Sequence, residues 1–139
     1  MPLIAGVDSS TQSTKVEIRD QETGAVVASA SAPHPAVMAP LSEQDPASWW
    51  TAFEHAWAQV GSPNVAAISV GGQQHGMVAL DADGVAVHPA KLWNDTESAD
   101  DADRLTGLVS PADWAAAIGS VPVAAFTVTK LAWLARTHA

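Results

Sequence analysis

The sequence predicts an α/β protein in which a mixed sheet is flanked by helices. Residues 1–31 contain three short strand patterns separated by turns, which is typical of an antiparallel meander. Beyond them, helical and strand patterns alternate along the chain. This alternation favours at least one parallel pair of strands beside the meander.

Composition indicates a folded globular protein, and we expect residues 1–139 to form one domain. Apolar residues make up 47% of the chain and charged residues 15%. A net charge of -9 with only 6 basic residues argues against nucleic-acid binding. The chain has no cysteine, which excludes disulfides and thiolate zinc sites. We find neither a signal peptide nor a membrane-length apolar run, so we predict a cytoplasmic protein with no membrane partner.

The first hairpin is predicted from two strands around a small polar loop. Residues 3–7 are continuously apolar, which is typical of a central strand buried on both faces. Residues 14–19 alternate between apolar and polar side chains, which indicates a half-buried strand. The loop contains Asp8 and five hydroxyl residues: Ser9, Ser10, Thr11, Ser13 and Thr14. It is either an ordinary turn that bonds its own backbone or an anion site in which Asp8 holds Mg²⁺.

The next segments complete the meander and then cross to a helix. Residues 20–24 have turn composition, and residues 25–31 form the third predicted strand. Four prolines make residues 32–46 an extended loop. A helix follows from the Asp45–Pro46 start to Gly61. Its apolar stripe is typical of core packing, although such aromatic side chains can also stack on a ligand; the stripe comprises Trp50, Phe53, Trp57 and Val60.

The second half of the chain adds one strand, one hairpin and three helices. Residues 65–70 predict a buried strand parallel to the first, and residues 77–87 a hairpin. Residues 95–108 predict a surface helix whose acidic side chains face solvent and do not bind metal; they are Asp100, Asp101 and Asp103. Another helix starts at Ser110. The last helix, over residues 127–138, carries an apolar face of Val128, Leu131, Leu134 and Ala135.

Two further polar clusters are candidate binding residues. Gln73, Gln74 and His75 follow the strand over residues 65–70, so they open on the same side as the Asp8 loop if the two strands are parallel. Their amides and imidazole suit a neutral polyhydroxylated ligand, but they could equally serve a turn and the core. Trp93 and Asn94 offer an apolar wall and an amide. Alternatively, Trp93 is a core residue and the aspartate after Asn94 caps a helix.

Several common catalytic patterns are absent from the sequence. It contains no G-x-x-x-x-G-K-[ST] motif, which excludes a P-loop, and no G-x-G-x-x-G motif, which excludes a dinucleotide-binding fingerprint. Its five histidines include no i, i+4 metal pair. No nucleophile–histidine–acid triad can be inferred from spacing.

Taken together, these clusters resemble the amino-terminal part of the FGGY carbohydrate kinases, and within that family the xylulokinases. The segments that carry the resemblance are 6–15, 42–50, 72–76, 92–95 and 126–131. The resemblance implies an actin-like ATPase domain of the ribonuclease-H-like type. It also implies ATP-dependent phosphorylation of a ketose, with D-xylulose converted to D-xylulose 5-phosphate as the favoured reaction.

The resemblance also implies roles for individual residues. Asp8 would hold Mg²⁺ through water, and the sugar D-xylulose and ATP would be the small-molecule partners. The residues expected at the ATP phosphates are Asp8, Thr11, Gln12, Ser13 and Lys15. Those expected at the sugar are Gln73, Gln74, His75, Trp93 and Asn94.

Two departures from the family pattern qualify these expectations. The family usually has glycine where Ser10 stands, so a positive φ there would cost about 1 kcal/mol of strain. The family's chains are also several times longer, and their second domain supplies the catalytic base, a second phosphate loop and the adenosine pocket. We therefore expect this chain to be a fragment, a shortened product or one half of a split protein, and to be inactive alone.

Three alternatives remain from the sequence. The chain could belong to another FGGY kinase, acting on ribulose, gluconate or glycerol. It could be a non-enzymatic sugar- or nucleotide-binding module on the same fold, or a ribonuclease-H-type nuclease, against which the acidic charge argues. Because apolar residues spread around the last helix, we also expect self-association through exposed apolar surface; these residues are Leu131, Trp133 and Leu134.

Overall fold

The computed structural model describes residues 1–38 and 40–138. Its strands are β1 (Leu3–Ser9), β2 (Ser13–Asp20), β3 (Val26–Pro33), β4 (Glu43–Gln44), β5 (Ala67–Gly72) and β6 (Ala90–Lys91), and its helices are α1 (Ala47–Gln59), α2 (Ala99–Leu108), α3 (Pro111–Ile118) and α4 (Thr127–Thr137). The chain divides into two compact units. Unit 1 contains Met1–Ala36 and Asp45–Gln73, and unit 2 contains Val37–Gln44 and the residues from Gln74 onward. That residues 1–139 act as one domain stays a prediction.

Unit 1 is built on a four-stranded mixed sheet with the strand order β3-β2-β1-β5. Strands β1, β2 and β3 form an antiparallel meander, in which Asp8 lies opposite Lys15. Strand β5 runs parallel to β1, with Asp8 opposite Gly71. The predicted meander, the parallel pair and the α/β class are thereby confirmed.

Helix α1 covers one face of this sheet and packs on β2 and β3. The core between them consists of Ala5, Val7, Val16, Ile18, Ala32, Ala52 and Ala56. The predicted aromatic stripe is therefore partly wrong, because Trp50 is 63% exposed and the fully buried helix positions are Ala52 and Ala56. Small side chains at those positions let the helix backbone approach the sheet, while Phe53, Trp57 and Val60 pack around the edge of the core.

The prediction that β1 and β5 are buried on both faces is wrong in this chain. In β1, Ala5 and Val7 are buried, but Gly6 and Asp8 are exposed. Every residue of β5 is exposed. Among the described residues α1 covers only one side of the meander, and β5 lies at the edge of the sheet. The apolar side chains of β1 and β5 are therefore not covered by a second layer on the other face.

Turns in unit 1 follow the sequence expectation closely. The Asp20 side chain accepts hydrogen bonds from the backbone N–H groups of Glu22 and Thr23, each at 2.8 Å. Gly24 then takes φ 71°, which a residue without a Cβ adopts at little cost. Within the predicted proline-rich loop, β3 reaches Pro33 and β4 forms a short strand.

Unit 2 contains a short two-stranded sheet, a turn and three helices. Strand β4 pairs antiparallel with β6, with Glu43 opposite Lys91. In the predicted hairpin, Asp81 closes the turn by accepting at its side chain from the backbone N–H of Val85 at 2.8 Å. Leu80 and Ala86 form an isolated bridge beside it. Helix α3 begins as predicted, because the Ser110 side chain accepts from the backbone N–H of Asp113.

Helices α2 and α4 bury different faces from those predicted. Helix α2 begins at Ala99 rather than at residue 95, and Asp101 is buried instead of facing solvent. The Arg136 guanidinium donates to both carboxylate oxygens of Asp101, at 3.0 and 2.8 Å, and these hydrogen bonds lower the pKa of Asp101. In α4 the buried residues are Thr129, Lys130 and Trp133, not the predicted face. No helix among the described residues is both long and apolar enough to cross a membrane.

Candidate functional site

A tight turn joins β1 to β2 and carries the candidate phosphate-binding residues. The backbone N–H of Ser10 donates to the carbonyl oxygen of Ser13 at 3.0 Å, so Thr11 and Gln12 form the two-residue tip. His34 supports the tip from the end of β3, because its N–H donates to the Gln12 carbonyl at 2.8 Å. Among the described non-glycine residues only Ser62 and His75 have a positive φ, so Ser10 carries no left-handed strain.

A buried hydroxyl–imidazole chain lies under this turn. The Thr14 hydroxyl is 2.8 Å from Nε2 of His34 and 3.1 Å from the hydroxyl of Ser9. Thr14 is fully buried and His34 is nearly so. Nδ1 of His34 is the one buried side-chain polar atom without a hydrogen bond in the described part of the chain. No sequence pattern indicated a role for His34, because its partner Thr14 lies 20 residues away in the chain.

Replacing Thr14 by valine is expected to lower the free energy of unfolding by about 1–3 kcal/mol. Valine keeps the shape but removes the hydroxyl, which leaves Nε2 of His34 buried without its partner. Urea unfolding measures the loss. Thr51→Val is the matched control, because Thr51 is exposed on α1 and should change stability by less than about 0.5 kcal/mol. If both substitutions change the free energy of unfolding equally, the buried Thr14–His34 hydrogen bond does not contribute to stability as proposed.

Asp8 lies on the sheet face that α1 leaves open. It is exposed, and it borders a cavity of ≈ 310 Å³ together with Gly6, Val7, Lys15, Glu17, Ser69 and Gly71. Gly6, two residues before Asp8 on β1, and Gly71, opposite it on β5, leave room at its carboxylate. Hard cations such as Mg²⁺ prefer oxygen ligands of this kind. The Lys15 ammonium lies 3.4 Å from the Glu17 carboxylate, so the ion pair holds it along β2.

Gln73 connects the end of β5 to the β1–β2 turn. The Thr11 hydroxyl donates to Oε1 of Gln73 at 3.2 Å, and Nε2 of Gln73 donates to the Ser10 carbonyl at 3.4 Å. The parallel pairing of β1 and β5 therefore brings Gln73 beside the turn, as the sequence predicted for the carboxyl ends of parallel strands. Gln73 is held here by the turn, whereas the resemblance implied a sugar contact.

In unit 2, His75 occupies a conformation that costs free energy. Its φ is 61°, in the left-handed region, whereas glycines 71, 72 and 76 on either side do not adopt a positive φ. Such a conformation costs about 1–3 kcal/mol for a residue with a Cβ. The exposed imidazole stacks on Phe126, with ring centroids 4.6 Å apart. The next carbonyl, of Gly76, accepts from the Thr127 hydroxyl at 3.3 Å. These contacts define where the His75 ring lies.

Trp93 and Asn94 are displayed on a short exposed turn of unit 2. Trp93 is 49% exposed, so it is not the core residue considered as an alternative. The residues on either side of the pair, Leu92 and Asp95, are each only 1% exposed. The backbone N–H of Asp95 donates to the Leu92 carbonyl at 3.1 Å and closes the turn. A half-exposed indole beside an amide can contact a sugar.

Lys91 is the centre of a charged cluster that sequence analysis missed. Its side chain is fully buried, and the ammonium donates to Glu43 at 2.7 Å, to Asp95 at 3.3 Å and to Glu97. The ammonium also lies 3.9 Å from the ring centroid of Trp133. Burial lowers the pKa of Lys91, but the hydrogen bonds to Glu43 and Glu97, together with the charges of Asp95 and Glu43, outweigh burial, so the net pKa is raised.

Lys130 is the second buried cation of unit 2. Its ammonium donates to the carbonyl oxygens of Ala124 and Ala125 at 2.7 and 2.9 Å. Burial is the main effect and, with repulsion from Lys91, lowers the pKa of Lys130 to about 8 despite the attraction of Asp95. Below that pH Lys130 is charged in both the folded and the unfolded chain. Between pH 8 and 10.5 only the unfolded chain keeps the proton.

Stability is therefore expected to rise with pH in this window, by up to about 1.4 kcal/mol per pH unit. The chain has no Tyr and no Cys, so lysines are the side chains that titrate there. Urea unfolding from pH 8 to 10.5 measures the slope. Lys130→Met should remove the rise of stability with pH, and Lys15→Met, a change at an exposed lysine, should retain it. A flat or falling wild-type curve would disprove the depressed pKa.

The candidate residues fall into two groups, one in each unit. The candidate phosphate-binding residues and Gln73 belong to unit 1. The other four candidates belong to unit 2: Gln74, His75, Trp93 and Asn94. The residues of each group are exposed or half-buried, and buried polar residues lie beneath or beside them. The arrangement offers a carboxylate with hydroxyls in unit 1 and an imidazole, two amides and an indole in unit 2.

The chain is similar to carbohydrate kinases in both sequence and structure. The model of the amino-terminal domain of the FGGY family of carbohydrate kinases matches residues 3–139. The chain is 54% identical over 136 residues to a xylulose kinase of Streptomyces coelicolor and 52% identical over 137 residues to one of Streptomyces rubiginosus; each match covers 96% of this chain. The solved xylulose kinase of Bifidobacterium adolescentis superposes with a TM-score of 0.91 at 44% identity, covering 99% of this chain.

The matches cover only part of each relative. The chain spans 28% of the length of the two Streptomyces proteins and 30% of the Bifidobacterium chain. The resemblance inferred from the sequence motifs is confirmed, as is the actin-like fold class. The chain belongs to the FGGY family of carbohydrate kinases.

Proposed function

We propose that this chain is the amino-terminal part of a kinase that transfers the γ-phosphoryl group of ATP to D-xylulose. The observation that carries the proposal is its identity of more than half of the aligned residues with xylulose kinases. The other sugar kinases that share the fold at 22–23% identity support the fold alone. The chain alone is expected to be inactive, because the proposal assigns the catalytic base, the second phosphate loop and the adenosine pocket to a second domain of the complete protein. A cytoplasmic location stays a prediction.

In this proposal the β1–β2 turn binds the ATP phosphates. Ser13 donates a hydroxyl hydrogen bond to a phosphate oxygen, and Thr11 does so by exchanging its bond to Oε1 of Gln73 for one to phosphate. Gln12 adds an amide, and Lys15 adds a positive charge. The exposed carboxylate of Asp8 and the open space beside it fit Mg²⁺ held through water. Bound there, Mg²⁺ would neutralise charge on the transferred group. Phosphoryl transfer depends chiefly on positioning and charge stabilisation, for which this polar turn is suited.

The residues of unit 2 would hold the sugar. Gln74, His75 and Asn94 offer donors and acceptors to its hydroxyls, and Trp93 offers an apolar surface to its C–H groups. A sugar contact of Gln73, which belongs to unit 1 and is bonded to the β1–β2 turn, stays a prediction. During transfer the sugar hydroxyl oxygen forms a bond to the γ-phosphorus, and the bond from that phosphorus to the oxygen of ADP breaks. The hydroxyl proton passes to a base outside this chain.

The test is a coupled assay of ADP formation by the complete protein that contains this chain. D-xylulose is expected to give the highest kcat/KM in a panel with ribulose, gluconate and glycerol. Residues 1–139 alone are expected to give no turnover. Faster turnover of another substrate would reassign the kinase within the family, and turnover by residues 1–139 would show that the catalytic base lies in this chain.

Self-association is a separate prediction for the chain on its own. The last helix contributes Leu131, which is 50% exposed, whereas Trp133 is buried and cannot contribute. In unit 1 the exposed strand β5 contributes Val70, which is 68% exposed. Exposed apolar surface of this kind favours association. Sedimentation velocity should show species larger than a monomer as the concentration rises, and a monodisperse monomer throughout would contradict the prediction.

A further inference from the structure

The buried cation Lys91 is connected to both segments that carry the candidate sugar residues of unit 2. Through its side chain it contacts Asp95, which ends the turn bearing Trp93 and Asn94. Through its backbone it pairs with Met77, two residues after His75. The N–H of Met77 donates to the Lys91 carbonyl at 2.8 Å, and the N–H of Lys91 donates to the Met77 carbonyl at 3.0 Å.

Asp95 connects the Lys91 ammonium to the turn through hydrogen bonds. One carboxylate oxygen accepts from the Lys91 ammonium and from the backbone N–H of Glu97 at 3.1 Å. The other accepts from the backbone N–H of Ser42 at 3.0 Å. Ser42 in turn accepts at its carbonyl from the N–H of Leu92 at 2.9 Å. Both ends of the turn that displays Trp93 and Asn94 are thus bonded to the same buried network.

The loop of His75 is held close to Lys91 as well. A Cβ placed on Gly76 would lie 3.4 Å from the Lys91 carbonyl, so the two backbones are in near contact. The positive φ of His75 has a free-energy cost that the surrounding contacts must outweigh. The paired backbone of Met77 and Lys91 is one of those contacts.

Of the three carboxylates around Lys91, Glu43 lies on β4, whereas Asp95 and Glu97 follow β6. Their oxygens lie within 4.8 Å of one another, a separation that also suits a metal ion, but the lysine ammonium donates to all three. The arrangement therefore uses an internal cation. A buried ion network of this kind adds little net stability compared with apolar packing, but it can define one geometry.

We propose that Lys91 is a positioning residue for the sugar: its ammonium fixes the Trp93–Asn94 turn through Asp95, while its backbone, which any residue at this position would keep, pairs with Met77 after His75. The inference rests on the proposed sugar-kinase function. Lys91 itself is buried and does not touch the sugar. Loss of its charge should therefore loosen the sugar contacts while leaving the ATP contacts of unit 1 as they are.

The test compares Lys91→Met with Arg104→Met, which removes an exposed charge of unit 2. In the complete kinase, Lys91→Met is expected to raise KM for D-xylulose about tenfold and to change KM for ATP less than about twofold. Hydrogen exchange of the backbone amides at residues 93–97 should accelerate about tenfold or more, and that of Met77, whose acceptor is the Lys91 backbone carbonyl, should change less. Arg104→Met should leave both measurements unchanged, and Lys91→Arg should restore only part of the sugar KM.

The outcomes separate this inference from the proposed function. If the wild-type kinase does not phosphorylate D-xylulose, the proposed function fails, and hydrogen exchange still decides whether the Lys91 side chain orders the Trp93–Asn94 turn. Unchanged exchange, or equal increases in both KM values, would overturn the inference. If Lys91→Met does not fold, Glu97→Gln weakens one Lys91 contact at a side chain that is 30% exposed. It should raise KM for D-xylulose about two- to fivefold, and an unchanged value would count against Lys91.

Discussion

Replacing Asp8 by asparagine is expected to lower the kcat of the complete kinase about 100-fold or more. The amide lacks the negative charge that, in the proposed site, would hold Mg²⁺ through water at the ATP phosphates. Because Asp8 is exposed at the end of β1, the core packed against α1 stays intact. The loss should therefore appear in catalysis and not in folding.

The measurement is steady-state turnover at several Mg²⁺ concentrations. The Mg²⁺ dependence of the variant should shift to higher concentration. Asp83→Asn is the matched control, since Asp83 is an exposed aspartate in the turn between residues 81 and 84 and should keep wild-type activity. Activity of Asp8→Asn within about threefold of wild type would remove Asp8 from the proposed site.

Replacing Asp95 by alanine is expected to lower the free energy of unfolding by about 3–5 kcal/mol. The change leaves the backbone N–H groups of Ser42 and Glu97 without their acceptor and takes one of three counter-charges from the buried Lys91. Water cannot easily replace these partners, since the Asp95 side chain is fully buried. The loss is expected to be larger than that from Thr14→Val, because more buried groups lose a partner.

Urea unfolding followed by circular dichroism measures this loss on residues 1–139. Asp103→Ala serves as the control, because Asp103 is exposed on α2 and should change the free energy of unfolding by less than about 0.5 kcal/mol. A loss below about 1 kcal/mol for Asp95→Ala would show that the network around Lys91 does not depend on this carboxylate.

Local patterns predicted the elements that depend on neighbouring residues. The alternation of Val16 and Ile18 predicted β2 and its buried face. Ser110 and Pro111 predicted the start of α3, because a side-chain cap and a fixed φ act within one turn. The hairpin before β2 and the parallel β5 followed from the same reasoning.

Helix faces were harder to predict than helix positions. In α4 the apolar residue Leu131 is half exposed, while Thr129 and Lys130 are buried. Thr129 is buried because its hydroxyl donates to backbone carbonyls, including that of Phe126 at 2.7 Å. Lys130 is buried because two carbonyls before the helix accept from its ammonium. A polar residue that finds partners in this way does not follow the pattern of hydropathy.

From sequence alone, the family, the mixed sheet and the polar turn after β1 could be predicted, because each depends on a motif or on residues close together in the chain. The folded chain alone decided which charges are buried. Asp101 finds Arg136 35 residues away, and Lys91 finds Glu43 48 residues away. Burial of a charge is tolerated only beside a partner, and distant partners meet only when the tertiary structure brings their elements together.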